Sequence, residues 1–343
     1  MASAAAGRWS AAGLLEVTTD ITRLDGSGRW IVALPYDGRP VLARFSEWSP
    51  VEGPTVTGSW RGPDEQSWAS SLDEAGYRKA VESIRQSVAA GDVYQANICR
   101  VMSAALPDPA AADVTGLAAL LAAGNPAPYA GFLDLPDHGV HMATASPELF
   151  LSTTNRQGER VVRSGPIKGT GRLESDLTDK DAAENIMIVD LVRNDLSIVC
   201  VPGSVVVPQL LAVQQHPGLV HLVSYVEGRL QANVDWTALL SATFPAGSIT
   251  GAPKLAAMRL IAALEPASRS YYCGAVGWVD ADSGDAELAV AIRTFWIEGD
   301  RVHFGTGAGI TWGSDPGDEW RETELKASRL VGLAGGTWQA DRS

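Results

Sequence analysis

Cysteine is scarce in this chain. Cys99, Cys200 and Cys273 are the three present, odd in number and far apart in sequence, which argues against a disulfide framework or a cysteine-built zinc site and leaves them as reduced packing residues. Long apolar runs are missing too. The stretch from Gly116 to Gly124 is too short to span a bilayer, and the Ala-rich start, Met1 to Arg8, has no basic region followed by an extended apolar segment. The expected location is cytoplasmic. Positive charge is also in deficit: 27 Lys and Arg face 40 Asp and Glu, a formal net charge of −13. That excludes the basic surfaces with which proteins hold nucleic acid or anionic membranes, so an anionic substrate would need locally placed cations. No internal repeat, low-complexity tract or charge block interrupts the sequence.

What is present suits one large globular unit: 343 residues, 45% apolar and 20% charged, with 35 glycines. The periodicity predicts a helix over 73–90, with Tyr77, Val81, Ile84 and Val88 on one stripe, Asp73 as N-cap and Gly91 as stop. Further helices are predicted over 179–196, over 318–333 before Gly335-Gly336, and from Pro253, in a first helical turn, to Leu264. Strands are predicted over 93–102, 203–207, 219–230, 272–280, 286–298 and 301–304. Runs of strands broken by single helices indicate an α+β fold.

Several residues carry chemistry. In Ser164-Gly165-Pro166-Ile167-Lys168-Gly169-Thr170, Lys168 sits between turn-forming residues and an apolar flank. A lysine becomes a nucleophile only when desolvation or a cationic neighbour lets it lose its proton; a lysine in a Gly-Pro turn is otherwise an exposed loop residue. Asp181 with Glu184, and Glu319 with Glu322, each project from one face of a predicted helix. Brought together, the faces would make a hard-oxygen site for magnesium, which takes one or two carboxylates and keeps several waters. Taken singly they are solvated helix faces, with Glu322 spaced to pair with Lys326. Gly305-Thr306-Gly307-Ala308-Gly309 follows a strand without a dinucleotide-type helix behind it, so it reads as a backbone nest for a carboxylate or as a bare hairpin turn. Arg293, in an apolar strand, would grip a substrate carboxylate or form a structural ion pair. Alone, Glu148 after Pro147, His221 before an apolar strand and Ser248 in a loop are ordinary turn or core residues, and Lys254 is structural.

In order, the blocks Ser164–Thr170, Glu184–Asp195 (ENIMIVDLVRND), His221–Ser224, Gly247–Lys254 (GSITGAPK), Ala291–Thr294, Gly307–Ile310 and Asp318–Thr323 closely resemble the chorismate-utilising enzymes. These include anthranilate synthase component I, aminodeoxychorismate synthase component I, and the isochorismate and salicylate synthases. The resemblance runs from about Asp73 to about Leu333. It implies two antiparallel sheets packed as a sandwich with flanking helices, in the anthranilate synthase component I-like fold. The implied organisation is a shortened N-terminal segment over 1–71, a chorismate-binding catalytic domain over 72–335 and a tail over 336–343.

Pro-Ile-Lys-Gly-Thr is the version of the motif seen in aminodeoxychorismate synthase component I, where anthranilate synthase usually has Ala for Lys168. The resemblance then implies amination of chorismate at C4 by ammonia through a covalent intermediate on Lys168, toward para-aminobenzoate and folate. It implies Glu148 as general acid and base, with His221 and Ser248 beside the departing hydroxyl. Arg293, Tyr272, Gly307 and Gly309 would contact substrate carboxylates. Glu184 and Glu322 would ligate Mg2+, supported by Asp181 and Glu319. A separate glutamine amidotransferase subunit, component II, is the implied partner, since none of the three cysteines has the setting of a glutamine-hydrolysing nucleophile and the synthase region leaves no room for a fused amidotransferase domain. Gly13-Leu14-Leu15-Glu16 is similar to the opening of the tryptophan-binding segment of feedback-regulated relatives, but Val17 replaces the expected serine. Glu287 stands where relatives commonly have Asp, Gly317 where they often have an acid, and the polar stretch Asn155–Glu159 lengthens the Glu148-to-Lys168 spacing as a hairpin tip. Anthranilate synthase component I, a catalytically silent docking subunit, and pyridoxal phosphate chemistry on Lys168 without a phosphate loop are the competing readings.

Overall fold

The computed structural model describes residues 2–51, 58–171, 173–216 and 219–338. The chain begins with β1 (Ser3–Ala6), β2 (Trp9–Thr18), β3 (Arg29–Leu34) and β4 (Val41–Pro50), then the short β5 (Trp60–Arg61) and β6 (Ala69–Ser70). Helix α1 (Glu74–Ala90), β7 (Gln95–Ala105), α2 (Val114–Gly124), β8 (Tyr129–Leu135), β9 (Val140–Ser146), β10 (Leu149–Arg156), β11 (Glu159–Gly165) and β12 (Ile167–Gly171) follow. Next come α3 (Asp179–Val199), β13 (Val206–His216), β14 (Leu219–Arg229), α4 (Trp236–Thr243), β15 (Gly251–Ala252) and α5 (Lys254–Leu264). The chain closes with β16 (Ala275–Asp280), β17 (Asp285–Val290), β18 (Thr294–Glu298), β19 (Arg301–Ile310), α6 (Pro316–Ala334) and β20 (Thr337–Trp338).

The α+β, antiparallel architecture expected from the sequence is present. Its strands hydrogen-bond as one continuous 18-strand system, with β5 and β20 as a separate pair. The N-terminal strands belong to this system: β1 pairs with β8 and β3 with β16. Helices α1, α5 and α6 lie against β7 and β19, α2 against β8 and β9, and α3 against β12 and β14. One core joins Ile188, Val189, Val192 and Leu196 of α3 to Val226 and to β3 residues such as Ile31 and Val32. Another seats Tyr77, Val81 and Ile84 of α1 on Ala96, Ile98, Ala308 and Ile310.

The caps place the helices as their sequences foretell. Asp73 accepts from the Gly76 N–H at 2.8 Å, and Gly91 closes α1 in the left-handed region at φ 82°. Thr178 and Asp181 form a reciprocal capping box on α3, while Asp315 caps α6 ahead of Pro316.

Boundaries shift where tertiary pairing outweighs local pattern. Pro253 is the residue before α5 rather than inside its first turn. The strand expected over 203–207 runs instead from Val206 to His216, and the one expected to end at Phe304 continues to Ile310. The single strand expected over 286–298 is two, β17 and β18, broken at 291–293, where Arg293 has φ 53°. Tyr272 precedes β16 instead of beginning it. The hairpin tip expected at Asn155–Glu159 is found as the β10–β11 turn, with Gln157 and Gly158 at positive φ. Of the expected tail over 336–343, residues 339–343 lie outside the described residues.

Candidate active site

Lys168 is aimed by a β-bulge. On β12 it pairs with Leu222 of β14, and the next pair, Thr170 with His221, skips Gly169. Gly169 takes φ 72°, and a Cβ there would lie 2.9 Å from the Asp181 Cβ, so glycine is needed for both conformation and space. Lys168 is thereby turned toward α3, its side chain 16% exposed and Nζ 3.7 Å from Glu184 Oε2. His221 is buried on the neighbouring strand, beside this pair.

Glu148 lies between β9 and β10, its backbone fixed on both sides: its N–H donates to Ser146 Oγ at 3.2 Å, and the Val290 N–H donates to its carbonyl at 3.0 Å. The side chain is buried, and desolvation pushes its carboxyl up to about 7. The Ser248 hydroxyl, the Lys168 charge, the Ile167 N–H and Arg293 act in the opposite direction, which identifies what surrounds it. Ser248, in the 3-10 turn Gly247–Ile249, is buried and faces this carboxyl, but its Oγ forms no hydrogen bond of good geometry among the described residues. Behind the pair lies a cavity of about 20 Å³, closed by Asp195, Thr243, Val192 and Leu196. Two of the lining residues are tied together by Lys254, which donates to Asp195 Oδ2 at 2.7 Å and to the Thr243 carbonyl at 3.1 Å, in line with a structural role.

The glycine-rich segment is neither a nest nor a hairpin turn. Gly305, Gly307 and Gly309 occupy alternate positions inside β19, opposite Val101, Cys99 and Asn97 of β7. Cys99 and Asn97 donate their N–H groups away from β19, to Glu265 Oε1 and the Thr250 carbonyl. The facing glycines are therefore non-hydrogen-bonded pairs, with N–H and C=O directed to the other edge of β19. The Gly307 carbonyl confirms the direction by accepting from Lys326 Nζ at 3.1 Å. Strand β18 covers that edge only from Arg301 to Phe304. Beyond Phe304 no described strand pairs with it, so the Gly307 and Gly309 amides face an open edge.

Arg293 sits where β18 departs. Its positive φ breaks the strand, and its carbonyl accepts from the Ala145 N–H. Among the described residues it makes no ion pair of salt-bridge length, although Glu148 acts on it electrostatically. Burial lowers its pKa, as does nearby Arg329, while Glu148 acts the other way. Tyr272 is buried with its ring against Gly305, where a Cβ would fall 2.0 Å from the ring.

Lys180 links the two carboxylate-bearing helices. Lys180 Nζ lies 3.8 Å from Glu184 Oε1 on α3 and 3.8 Å from Glu319 Oε1 on α6, so one ammonium bridges both. Glu319 is buried, and desolvation raises its carboxyl despite help from Ser314 and Lys180. Burial acts to raise Glu322 as well, yet Lys326, 2.6 Å away, with Lys180 and Lys168 beyond, holds it below the ordinary range. The pairing of Glu322 with Lys326 expected from their spacing is thus made. Asp181 spends its carboxylate on the helix cap, accepting from the Thr178 N–H and Oγ1 at 2.8 and 2.7 Å. Lys180 had no place in the sequence reading, though its four-residue spacing from Glu184 was a visible signal. Lys168, Glu148, Ser248, Arg293, Glu184, Glu319 and Glu322 are all brought within one electrostatic neighbourhood.

Comparison with known proteins identifies the family and the fold. The chain is 41% identical over 278 residues to anthranilate synthase component 1 of Streptomyces coelicolor, covering 78% of this chain and 52% of that protein. It is 35% identical over 290 residues to aminodeoxychorismate synthase component 1 of Bacillus subtilis, covering 81% of this chain and 59% of that protein. The chain thus matches little more than half the length of these relatives. Its fold is that of anthranilate synthase component I from Streptococcus pneumoniae, with TM-score 0.76 and 24% identity over 91% of this chain and 84% of that one. The menaquinone-specific isochorismate synthase of Escherichia coli gives TM-score 0.78 at 20% identity, covering 97% and 89%. No helix among the described residues is long and apolar enough to cross a membrane. Residues 29–332 match the family described as chorismate binding enzyme, starting well before Asp73, where the resemblance in sequence begins, and the chain belongs to that family.

Proposed function

We propose that this chain aminates chorismate at C4 with ammonia to give 4-amino-4-deoxychorismate, toward para-aminobenzoate and folate. The observation that carries the reading is Lys168, presented by the Gly169 bulge between Glu184 and the buried Glu148. Relatives named aminodeoxychorismate synthase component 1 and anthranilate synthase component 1 are both close in sequence, so the choice of reaction for this chain rests on the lysine.

Chorismate is a dicarboxylate. Arg293 and the amides on the open edge of β19 would take its enolpyruvyl carboxylate, with charge-assisted hydrogen bonds. Tyr272, wedged against Gly305, would line that end of the site. The ring carboxylate would lie toward Glu184 and Glu322. These residues suit Mg2+: a single ammonium, Lys180, already stands between Glu184 and Glu319 as a cationic stand-in. Among the described residues no three acidic, His or Cys side chains form a metal cage; Mg2+ would take Glu184 and Glu322 and complete its shell with water and substrate oxygens. When bound, Mg2+ would neutralise the ring carboxylate and polarise the conjugated ring. Glu319, behind Glu322, and Asp181, at the α3 cap, would steady the ligands.

Lys168, having lost a proton, attacks C2 as both conjugated ring double bonds shift and the C4–O bond breaks. Glu148, neutral near its pKa of about 7, gives its proton to the departing hydroxyl, which leaves as water. Ser248 and His221 would orient that hydroxyl. Ammonia then bonds to C4 as the C2–N bond to Lys168 breaks, and Glu148 takes up the surplus proton, ready for another cycle. The ammonia would come from a glutamine amidotransferase subunit, as the "component 1" names of the relatives suggest, and the reaction would occur in the cytoplasm.

The test is incubation of purified protein with chorismate, magnesium and ammonium, followed by mass identification of the product. An aminated product retaining the enolpyruvyl group is expected. Anthranilate, which requires loss of pyruvate, would transfer the chain to the anthranilate synthase reading, and an unreacted substrate would favour a silent docking subunit.

A further inference from the structure

Three ammonium groups and three carboxylates interlock at the convergence of α3 and α6. Lys168 and Lys180 flank Glu184, Lys180 also reaches Glu319, and Lys326 pairs with Glu322. Asp181 is absorbed by its helix cap. The cluster is therefore charge-balanced before any ligand enters. Lys180 is its loosest member: its side chain is 57% exposed, and both of its carboxylate contacts, at 3.8 Å, are longer than hydrogen bonds. Magnesium, with twice the charge, would compete directly for Glu184, the carboxylate that it and Lys180 would share.

Resting on the magnesium and chorismate reading above, we propose that Lys180 is a built-in counter-cation that competes with the metal and makes metal binding depend on the dianionic substrate. With the lysines still charged and Arg293 counted for the second substrate carboxylate, the site carries one positive charge; Mg2+ alone raises this to three, a dicarboxylate alone turns it to one negative, and the two together return it to one positive. Each ligand thus strengthens the other, and by linkage the effect is reciprocal. A lysine at the mouth of the site can also swing to water, keeping its charge solvated as the metal takes its place. Glu184 and Glu319 thus need not separate by mutual repulsion while the metal is absent, and metal is retained mainly when substrate is present.

Calorimetric titration of Mg2+ alone into the full chain and into Lys180→Gln and Lys180→Arg variants tests this. Lys180→Gln should bind Mg2+ about tenfold more tightly than wild type, the screened effect of removing one nearby charge, while Lys180→Arg stays close to wild type. Chorismate should tighten Mg2+ binding in the wild type, and do so less in Lys180→Gln. Metal-free Lys180→Gln should also unfold at a lower temperature than wild type and gain more from added Mg2+, a direction that simple damage to the fold would not give. Equal or weaker Mg2+ binding by Lys180→Gln, with binding by the wild type intact, would overturn the proposal alone. Absence of binding in all three proteins while amination continued in excess chelator would overturn the magnesium reading and this proposal together.

Discussion

Replacing Glu148 by Gln should make the protein more stable at alkaline pH while abolishing its turnover. The carboxyl is buried, and desolvation raises its pKa from the ordinary 4.5 to about 7. The folded chain therefore retains a proton that the unfolded chain releases, and this contribution to stability is complete below about pH 4.5 and lost as pH rises to about 7. A shift of this size is worth about 3 kcal/mol, of which on the order of 2 kcal/mol is lost between pH 5 and pH 8. Glutamine has no proton to lose. Urea unfolding of wild type and Glu148→Gln at the two pH values should show the variant gaining about 2 kcal/mol relative to wild type on going from pH 5 to pH 8. Its amination of chorismate should be lost at both, because the departing hydroxyl has no proton donor. In the wild type, kcat should fall as pH rises through about 7, since the protonated carboxyl is the working form. A relative stability that does not change with pH would show that Glu148 is not held neutral by burial. Substantial turnover by the variant would refute its part in expelling the hydroxyl.

Lys168→Ala should lose most aminodeoxychorismate formation, and some anthranilate should appear because the change recreates the relatives' motif; product analysis at wild-type rates would refute a nucleophilic lysine. Glu322→Gln, Glu184→Gln or excess chelator should abolish turnover with circular dichroism unchanged, and full activity in chelator would remove the metal from the reaction. Gly169→Ala should cost about 1–3 kcal/mol, given its φ of 72° and a Cβ 2.9 Å from that of Asp181, and should cut turnover further by re-aiming Lys168; wild-type stability and rate would show that the bulge is not required. The purified chain should aminate chorismate with ammonium and fail with glutamine until an amidotransferase is added, and equal rates from glutamine alone would overturn that division of labour.

The sequence by itself determined what is local. Periodicity located α1, α3 and α6 to within a few residues, and Asp73 and Gly91 bound α1 because they satisfy or terminate it through neighbours in the chain. Four-residue spacing marked the Glu322–Lys326 pair, and ordered motifs identified the family. What depended on partners distant in sequence was decided by tertiary structure alone. Residues 305–309 read as a turn because glycines hide a strand's alternation; their place inside β19 follows from the β7 ladder, and their open edge from the departure of β18. Arg293 read as an interior strand residue, whereas its positive φ ends the strand and turns it toward Glu148. The raised pKa of Glu148 arises from desolvation by burial, and the groups that oppose it come from β12, the Ser248 turn and Arg293 at the β17–β18 break, none of them near it in sequence. Nor could spacing alone show that Lys180 reaches Glu319 across two helices. Helix geometry is written in hydrogen bonds four residues long, but desolvation and charge pairing depend on which distant segments the fold packs together.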